Sequence, residues 1–347
     1  MRNLEIFYIN HMVSISKLAS AEEAAKLIET GNAYLISGDE RVLAKLPKGN
    51  WIGGTTCYFS IGGKAVEDRD NVFITGFPEF VKMKCIKTYS ENFIPSVAKD
   101  ACENGFSILL MPAGSEPSLQ YAQFSPMYSD LFFRPIIGWI TGMYLPDWNP
   151  ASPHKEKRPK VFNGQTGECE INVAEAMHFS LPANKVAVVK TISPFKVKEN
   201  SPVITFEGNN SLIVKEAYLN GKQVNLPKYI IENNIDYRTP MQANYSGIPI
   251  NVSFPSEIQG DEMLLRQAVF SDVEYRFTEM AEQPDTYSIN NLIDKEKYIC
   301  GCTCIFNHLT FNKNGYIPCG VDGPLTFGEI AYQIMGNAST YLELEEA

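Results

Sequence analysis

AYLIS at residues 33–37 and WIGGTTCYF at residues 51–59 are the stretches that decide the fold. The first reads as a buried strand, and the second predicts a strand that runs into a Gly-Gly turn at Gly53-Gly54. Residues 39–46 between them predict a short helix that ends before Pro47. Strands that alternate with helices predict a largely buried sheet covered by helices. Moving outward, the same alternation predicts strands at 71–77, 83–88, 106–111 and 135–144 and helices at 20–30, 90–103 and 117–131.

The pattern changes after residues 146–159, a proline-rich stretch that predicts a surface loop. Later candidate strands are closely spaced, Asn220-Gly221 predicts a tight turn, and residues 323–335 fit either a helix or a strand. We therefore expect an α/β (mixed α+β) protein with two sequential sheet-containing halves. Helices should pack on the sheets, and the second half should be richer in antiparallel strands. The predicted halves are 1–160, with last strands running on to about residue 190, and 161–347.

Composition restricts the classes of partner. The chain has 347 residues, a formal net charge of −10 and 44% hydrophobic residues. An acidic surface repels phosphate backbones and anionic headgroups, which predicts no nucleic-acid or membrane partner. No signal peptide and no apolar run of membrane-spanning length are apparent, and eight cysteines are too few for a disulfide scaffold. These features predict a cytoplasmic protein.

Five segments resemble the FIST family, whose members consist of an N-terminal and a C-terminal half. The resemblance runs in family order through most of the chain, and its last segment contains the family's GEI run. The segments are NWIGGTTCYFSIGGKAV (50–66), PIIGWITGMY (135–144), PKVFNGQTGECEINVAEAMHFSLP (159–182), FKVKENSPVITFEGNNSLIVKEAYLNGKQV (195–224) and DGPLTFGEIAYQIMGNASTYLELEE (322–346).

The resemblance implies a ligand-sensing module. FIST domains occur alone or fused to kinases, chemoreceptors or cyclic-nucleotide enzymes, and some bacterial members bind haem. This sequence shows no output domain, which implies a separate signalling partner such as a histidine kinase. Asn307 stands where the family usually has an arginine, so the resemblance favours a neutral or cationic ligand over an anionic one.

The expected ligand pocket lies where the two family signatures face each other, because ligand sites favour domain junctions. Thr55 and Thr56 would orient the ligand, Glu329 would be its charged anchor, and Asn307 would supply an amide. Glycines allow close approach of the backbone. The predicted site residues are Gly53, Thr55, Thr56, Cys57, Cys304, Asn307, Gly328 and Glu329.

The run Cys300, Cys302 and Cys304 alternates along a predicted strand, so the three thiols share one face. Thiolates suit soft metals, but free cysteines also pack as small hydrophobic residues beneath a helix. We favour packing and predict no metal and no cofactor. Haem remains an alternative, with an axial ligand from the four histidines His11, His154, His178 and His308.

The enzyme alternative depends on one close Cys–His pair, Cys304 and His308. No protease, hydrolase or kinase signature accompanies it, and no catalytic residue is assigned. The sequence therefore favours a non-catalytic, cytoplasmic sensory protein that binds a small ligand and acts on a separate signalling partner. The alternatives are a haem- or metal-binding sensor and a cysteine-dependent enzyme using Cys304.

Overall fold

The computed structural model describes residues 15–149, 154, 157–208, 210–245, 248–281 and 293–347. Its strands are β1 (Ile15–Ser20), β2 (Tyr34–Gly38), β3 (Trp51–Thr55), β4 (Tyr58–Ile61), β5 (Lys64–Glu67), β6 (Asn71–Gly76), β7 (Lys82–Tyr89), β8 (Gly105–Pro112), β9 (Ile136–Thr141), β10 (Val161–Asn163), β11 (Glu168–Glu170), β12 (Ala174–Ser180), β13 (Lys185–Ile192), β14 (Phe195–Val197), β15 (Ile204–Thr205), β16 (Ser211–Val214), β17 (Glu216–Leu219), β18 (Lys222–Asn225), β19 (Met241–Tyr245), β20 (Ile248–Val252), β21 (Met263–Val269), β22 (Tyr275–Met280), β23 (Tyr298–Cys304), β24 (Gly323–Thr326), β25 (Glu329–Ala331), β26 (Gln333–Met335) and β27 (Ser339–Glu346).

The helices are short. They are α1 (Ala21–Ile28), α2 (Glu40–Leu43), α3 (Val97–Asp100), α4 (Glu116–Phe124), α5 (Leu226–Glu232) and α6 (Ile305–Phe311), with 3-10 turns at Ile94–Ser96, Ser125–Met127, Leu131–Phe133 and Leu145–Asp147. Within the described part of the chain, none of them has the length and apolar character needed to cross a membrane. The mixed α+β class that the sequence predicts is confirmed.

Local sequence signals explain where several elements begin and end. Ser20 caps α1: its hydroxyl accepts from the Glu23 N–H, and the Glu23 carboxylate accepts from the Ser20 N–H at 2.9 Å. The helix predicted at 90–103 is reduced to a 3-10 turn and the single turn α3, because the residue before Pro95 is disfavoured in the α conformation. Residues 323–335, which fitted either type, form the strands β24 to β26.

The sheet that carries the candidate site has the order β1-β6-β2-β3-β10-β11. β2 and β3 are parallel, with Tyr34 opposite Trp51 and Gly38 opposite Thr55, and α2 belongs to the crossover that joins them. Both strands are buried along their whole length. The turn predicted at Gly53-Gly54 is wrong, because both glycines pair with β2 inside the sheet. Their carboxyl ends therefore open at the same edge of the sheet.

Two further sheets each contain strands from both halves of the sequence. β25 and β26 extend the sheet β26-β25-β9-β8-β12-β7, and β4 and β5 extend the sheet β13-β27-β23-β24-β4-β5. One hydrophobic cluster also joins residues of three sheets, among them Ile52, Ile108 and Leu342. The halves predicted from the sequence are thus continuous in their hydrogen bonding and in their core.

Residues 204–280 form a distinct layer. β15, β17, β18, β19, β20 and β22 form a sheet joined by β14, and β16 pairs separately with β21. This layer has its own hydrophobic cluster, which includes Phe206, Met241 and Phe277. It meets the rest of the molecule near Asn337, whose side chain accepts a hydrogen bond from the Ser253 hydroxyl at 2.5 Å.

Candidate functional site

A cleft of about 200 Å³ opens beyond the carboxyl ends of β2 and β3. Asp39 follows β2 directly, and Thr55, Thr56 and Cys57 end β3 and continue from it. In sheets with parallel strands, ligands commonly bind in a crevice outside these strand ends, because the loops that leave the strands there are close together. The position of the cleft thus follows from the βαβ arrangement that the sequence predicts.

Asp39 organises the charges of the cleft. Its carboxylate accepts hydrogen bonds from Nε of Arg41 at 3.0 Å and from Nε of Arg69 at 2.8 Å. It also accepts the Arg41 backbone N–H at 3.0 Å, which caps the single turn α2, and the Cys57 thiol lies 3.4 Å away. The Asp39 side chain is 6% exposed, whereas those of Arg41 and Arg69 are 60% and 33% exposed. One buried carboxylate therefore holds two arginines at the mouth of the cleft.

The protonation states of Asp39 and Cys57 follow from this arrangement. Burial alone would raise the pKa of Asp39, but the hydrogen bonds from Arg41 and Arg69 outweigh it and lower the pKa from 3.8 to about 2. Burial and the adjacent Asp39 carboxylate raise the pKa of the Cys57 thiol to about 12. Asp39 is therefore ionised at neutral pH and Cys57 is a thiol, which is the poorly nucleophilic form.

The far wall of the cleft comes from the segment after β9. The Thr55 hydroxyl donates to the Gly142 carbonyl at 2.6 Å, and the Gly142 N–H donates to the Thr55 carbonyl at 3.0 Å. These bonds hold Tyr144 beside the site, with its ring centroid 4.0 Å from the Arg69 guanidinium carbon. Arg69 is thus fixed by a carboxylate on one side and by an aromatic face on another.

The cleft has an excess of positive charge. One of its three acidic residues, Glu40, is paired with Lys160, whose Nζ lies 2.5 Å from the Glu40 carboxylate. None of the ion pairs between described residues includes Lys157 or Arg158. The charged residues lining the cleft are Arg41, Arg69, Lys157 and Arg158 against Asp39, Glu40 and Asp147.

The eight residues predicted for the site fall into two sets. Thr55, Thr56 and Cys57 line the cleft, whereas Gly53 lies two residues deeper in β3, opposite Ile36 and Phe162. The other four do not line it. They are the buried residues Cys304, Asn307, Gly328 and Glu329.

The two sets are nevertheless neighbours through the backbone. The Thr56 hydroxyl donates to the Leu325 carbonyl at 3.0 Å, one residue before Thr326. Glu329 pairs across the sheet with Trp139 of β9, and a Cβ on Gly54 would lie 2.5 Å from Cγ2 of Thr141 on the same strand. The two sets thus meet in packed sheet and not across an open cleft.

Glu329 is fully buried, and its Oε1 accepts the Thr326 hydroxyl at 2.8 Å. Its Oε2 has no hydrogen-bond partner within the described part of the chain. Burial raises the pKa of the Glu329 carboxyl well above 4.5, and the Thr326 hydrogen bond opposes this only partly. Burial therefore disfavours the ionised form of this carboxyl, in contrast to the charged anchor suggested by the sequence.

The cysteine run lies on β23, as predicted, and Cys300, Cys302 and Cys304 are all buried. The Cys302 sulfur lies 3.2 Å from the Thr340 hydroxyl. Burial raises the pKa of each of these thiols. No cluster of three or more His, Cys, Asp or Glu side chains suited to a metal ion occurs among the residues described.

The geometry of Cys304 and the histidines bears on the enzyme and haem alternatives. Cys304 precedes α6, and burial together with Glu329 raises the pKa of its thiol, which opposes use as a nucleophile. His308 on α6 lies 3.3 Å from the Asn312 amide. His178 is fully buried between the Ser107 hydroxyl at 2.7 Å and the Tyr89 hydroxyl at 3.0 Å. His11 lies outside the described residues.

Sequence reasoning missed the residues that give the cleft its charge. Asp39 carries a usable signal, since a carboxylate directly after a buried strand lies at the strand end where ligands bind. Arg69 and Tyr144 carry no such signal. They are 30 and 105 residues away from Asp39 in the sequence and reach it only through the sheet and the segment after β9.

Comparisons with known proteins identify the family and nothing closer. No curated protein and no solved structure matches the chain. A family model matches residues 19–345, which covers nearly all of the sequence and all of the elements described above from α1 to β26. The chain therefore belongs to DUF6976, a family of unknown function.

Proposed function

We propose that this chain is a cytoplasmic sensory protein that binds a small anion in the cleft beyond β2 and β3. The observation that carries the proposal is the cluster of Arg41, Arg69, Lys157 and Arg158 around the single buried carboxylate of Asp39. The chain as a whole has a formal charge of −10, so a local excess of cations is not explained by composition. Clefts lined by one sign of charge concentrate ligands of the opposite sign.

The identity of the ligand class follows from charge and size. The prediction of a neutral or cationic ligand depended on Asn307, which does not line the cleft. A cleft of about 200 Å³ is smaller than the ~300–1,000 Å³ typical of drug-sized ligands. Arginine presents a planar fork that matches carboxylate and phosphate groups. A small carboxylate or phosphate is therefore the favoured ligand.

The mode of action is binding without catalysis. The one thiol that lines the cleft, Cys57, is protonated, and the hydroxyls of Thr55 and Thr56 already donate to backbone carbonyls. The resemblance to FIST modules supports a sensory role. A ligand that binds one conformation more tightly shifts its population, and a coupling of ~1–3 kcal/mol suffices for a separate partner, such as a histidine kinase, to respond.

The test is a thermal-shift screen of the purified chain with inorganic phosphate, succinate and citrate, followed by calorimetric titration of any anion that raises Tm. A ligand present at 100 times its Kd should add ~2.7 kcal/mol to the free energy of unfolding. The double variant Lys157→Gln/Arg158→Gln should weaken binding at least tenfold, because it removes two cations and leaves the Asp39 network intact.

Lys196→Gln/Lys198→Gln is the matched control. It also removes two positive charges, but from residues that do not line the cleft, and should leave the affinity for the anion unchanged. The proposal is overturned if none of the three anions raises Tm, or if both double variants weaken binding equally, since equal weakening would indicate general electrostatic attraction.

A further inference from the structure

A second pocket, of about 180 Å³, lies where the layer of residues 204–280 meets α6. Arg266 of β21 and Arg238 reach it from the layer, and Phe306 and Leu309 reach it from α6. Among the described residues that line it, none is acidic. An acid-free pocket with two arginines in a chain of formal charge −10 is suited to an anion.

The two arginines differ in how fully they are paired. Arg238 forms a fork with Asp236 through two hydrogen bonds of 2.8 Å. Arg266 instead donates to the Phe254 carbonyl at 3.3 Å and to the Ser256 hydroxyl at 2.7 Å, both uncharged acceptors. No ion pair between described residues includes Arg266, and its Nη1 makes none of the hydrogen bonds that hold the side chain.

The side chain of Arg266 is nonetheless held in place. Its guanidinium carbon lies 4.1 Å from the centroid of the Phe306 ring, so the cation stacks on an aromatic face. Those contacts fix the plane of the guanidinium while leaving one edge available. A guanidinium fixed in this way loses little conformational entropy when it binds a planar carboxylate.

The walls of the pocket also favour a ligand that carries an apolar group. Phe254, Phe306 and Leu309 line it, and Leu309 is 49% exposed, which leaves a large apolar side chain in contact with water at its rim. An apolar body placed there would remove this surface from water. The pocket therefore fits a carboxylate that carries an aromatic or branched aliphatic group better than it fits phosphate or acetate.

We infer that the Arg266 pocket is a second ligand site, which binds a small monocarboxylate with an apolar body. The carboxylate pairs with Arg266, and the apolar group lies against Phe254 and Leu309. This site is separate from the cleft at Asp39 and does not depend on the function proposed for that cleft. Because it joins two layers of the molecule, a ligand bound there contacts both.

The experiment is a calorimetric titration of the full chain with benzoate, acetate and benzylamine. Benzoate should bind at least tenfold more tightly than acetate, which lacks the apolar body, and benzylamine, which has the opposite charge, should not bind. Arg266→Gln should weaken benzoate binding at least tenfold. Arg266→Lys should recover part of the affinity, because it keeps the charge and loses the planar fork.

Two further variants separate this site from its neighbours. Arg238→Gln should weaken benzoate binding less than about threefold, because Asp236 already neutralises that guanidinium. Lys157→Gln/Arg158→Gln in the cleft should leave the affinity for benzoate unchanged. The inference is overturned if benzoate does not bind, if acetate binds as tightly, or if the cleft variant weakens benzoate binding as much as Arg266→Gln does. Circular dichroism and Tm of each variant confirm that it is folded.

Discussion

Two neighbouring regions of the molecule each contain a carboxyl group. Asp39 lies at the cleft, and Glu329 lies in the packed sheet behind it. Both are buried, yet Asp39 has a pKa of about 2 and the pKa of Glu329 is raised well above 4.5. The difference lies in their partners. Asp39 has Arg41 and Arg69, whereas the Glu329 carboxyl has one hydroxyl, that of Thr326.

This contrast teaches that burial alone does not identify a charged anchor. Desolvation disfavours the ionised form of both carboxyls, and at Asp39 the hydrogen-bond donors, two of them charged guanidiniums, reverse this effect. At Glu329 the Thr326 hydroxyl opposes it only in part. Of these two regions, the one that can attract a ligand by charge is the cleft, where the carboxylate holds two arginines at the surface.

The largest expected effect comes from Asp39→Asn. The substitution leaves Arg41 and Arg69 without their common anion and should lower the free energy of unfolding by about 3 kcal/mol, at the low end for a broken buried pair, since both arginines are partly exposed. Chemical denaturation at pH 7 measures it, with Asp70→Asn, an exposed carboxylate, as the control. A loss no larger than that of the control would contradict the ion-pair network.

The same variant has a pH signature. Because the folded pKa of Asp39 is lowered, its stabilisation is complete above 3.8 and disappears as the pH falls towards 2. The wild-type chain should lose about 2 kcal/mol from this group over that window, at ~1.4 kcal/mol per pKa unit, and Asp39→Asn should not.

Glu329→Gln should act in the opposite direction. Burial raises the pKa of the folded carboxyl above that of the unfolded one, so the group destabilises the fold as the pH rises through 4.5. Its replacement by a neutral amide should therefore raise the free energy of unfolding more at pH 7 than at pH 4. Affinity for phosphate in the cleft should not change. A variant that is less stable than the wild type at pH 7 would show that Glu329 is ionised.

Glu175 provides the intermediate case, with a smaller effect. Its carboxylate accepts the Thr88 hydroxyl at 2.7 Å and the Asn163 amide at 3.0 Å. Burial raises the pKa to about 7 because these neutral donors compensate only in part. Glu175→Gln should therefore add about 2 kcal/mol, and this gain should level off above pH 7, where the folded carboxyl also ionises.

Glu257→Gln is the control for Glu175→Gln, because Glu257 is exposed and lies outside the surroundings that shift the pKa of Glu175. Its substitution should leave stability unchanged between pH 4 and 8. A stability gain of Glu175→Gln that kept rising beyond pH 8 would show that the folded Glu175 carboxyl is still neutral there. The pKa of Glu175 would then not lie between those of Asp39 and Glu329.

The sequence by itself determined those features that depend on near neighbours. The apolar run at β2, the short helix after it and the capping of α1 by Ser20 and Glu23 are set by side chains within a few residues of one another. The end of α4 at Phe124 shows the limit of this reasoning, because the helix predicted at 117–131 continues through Pro126.

Tertiary structure alone decided the chemistry of the cleft and the way the halves are joined. β25 adds to β9 and β24 to β4, pairings between residues far apart in the sequence that no local pattern encodes. The same long-range packing brings Arg69 to Asp39 and gives Glu329 no cationic partner among the residues that the structure describes. The charge state of a carboxyl depends on its solvation and on its partners in space. Residue type shows that Asp39 and Glu329 are acids, but only the folded arrangement sets their different pKa values.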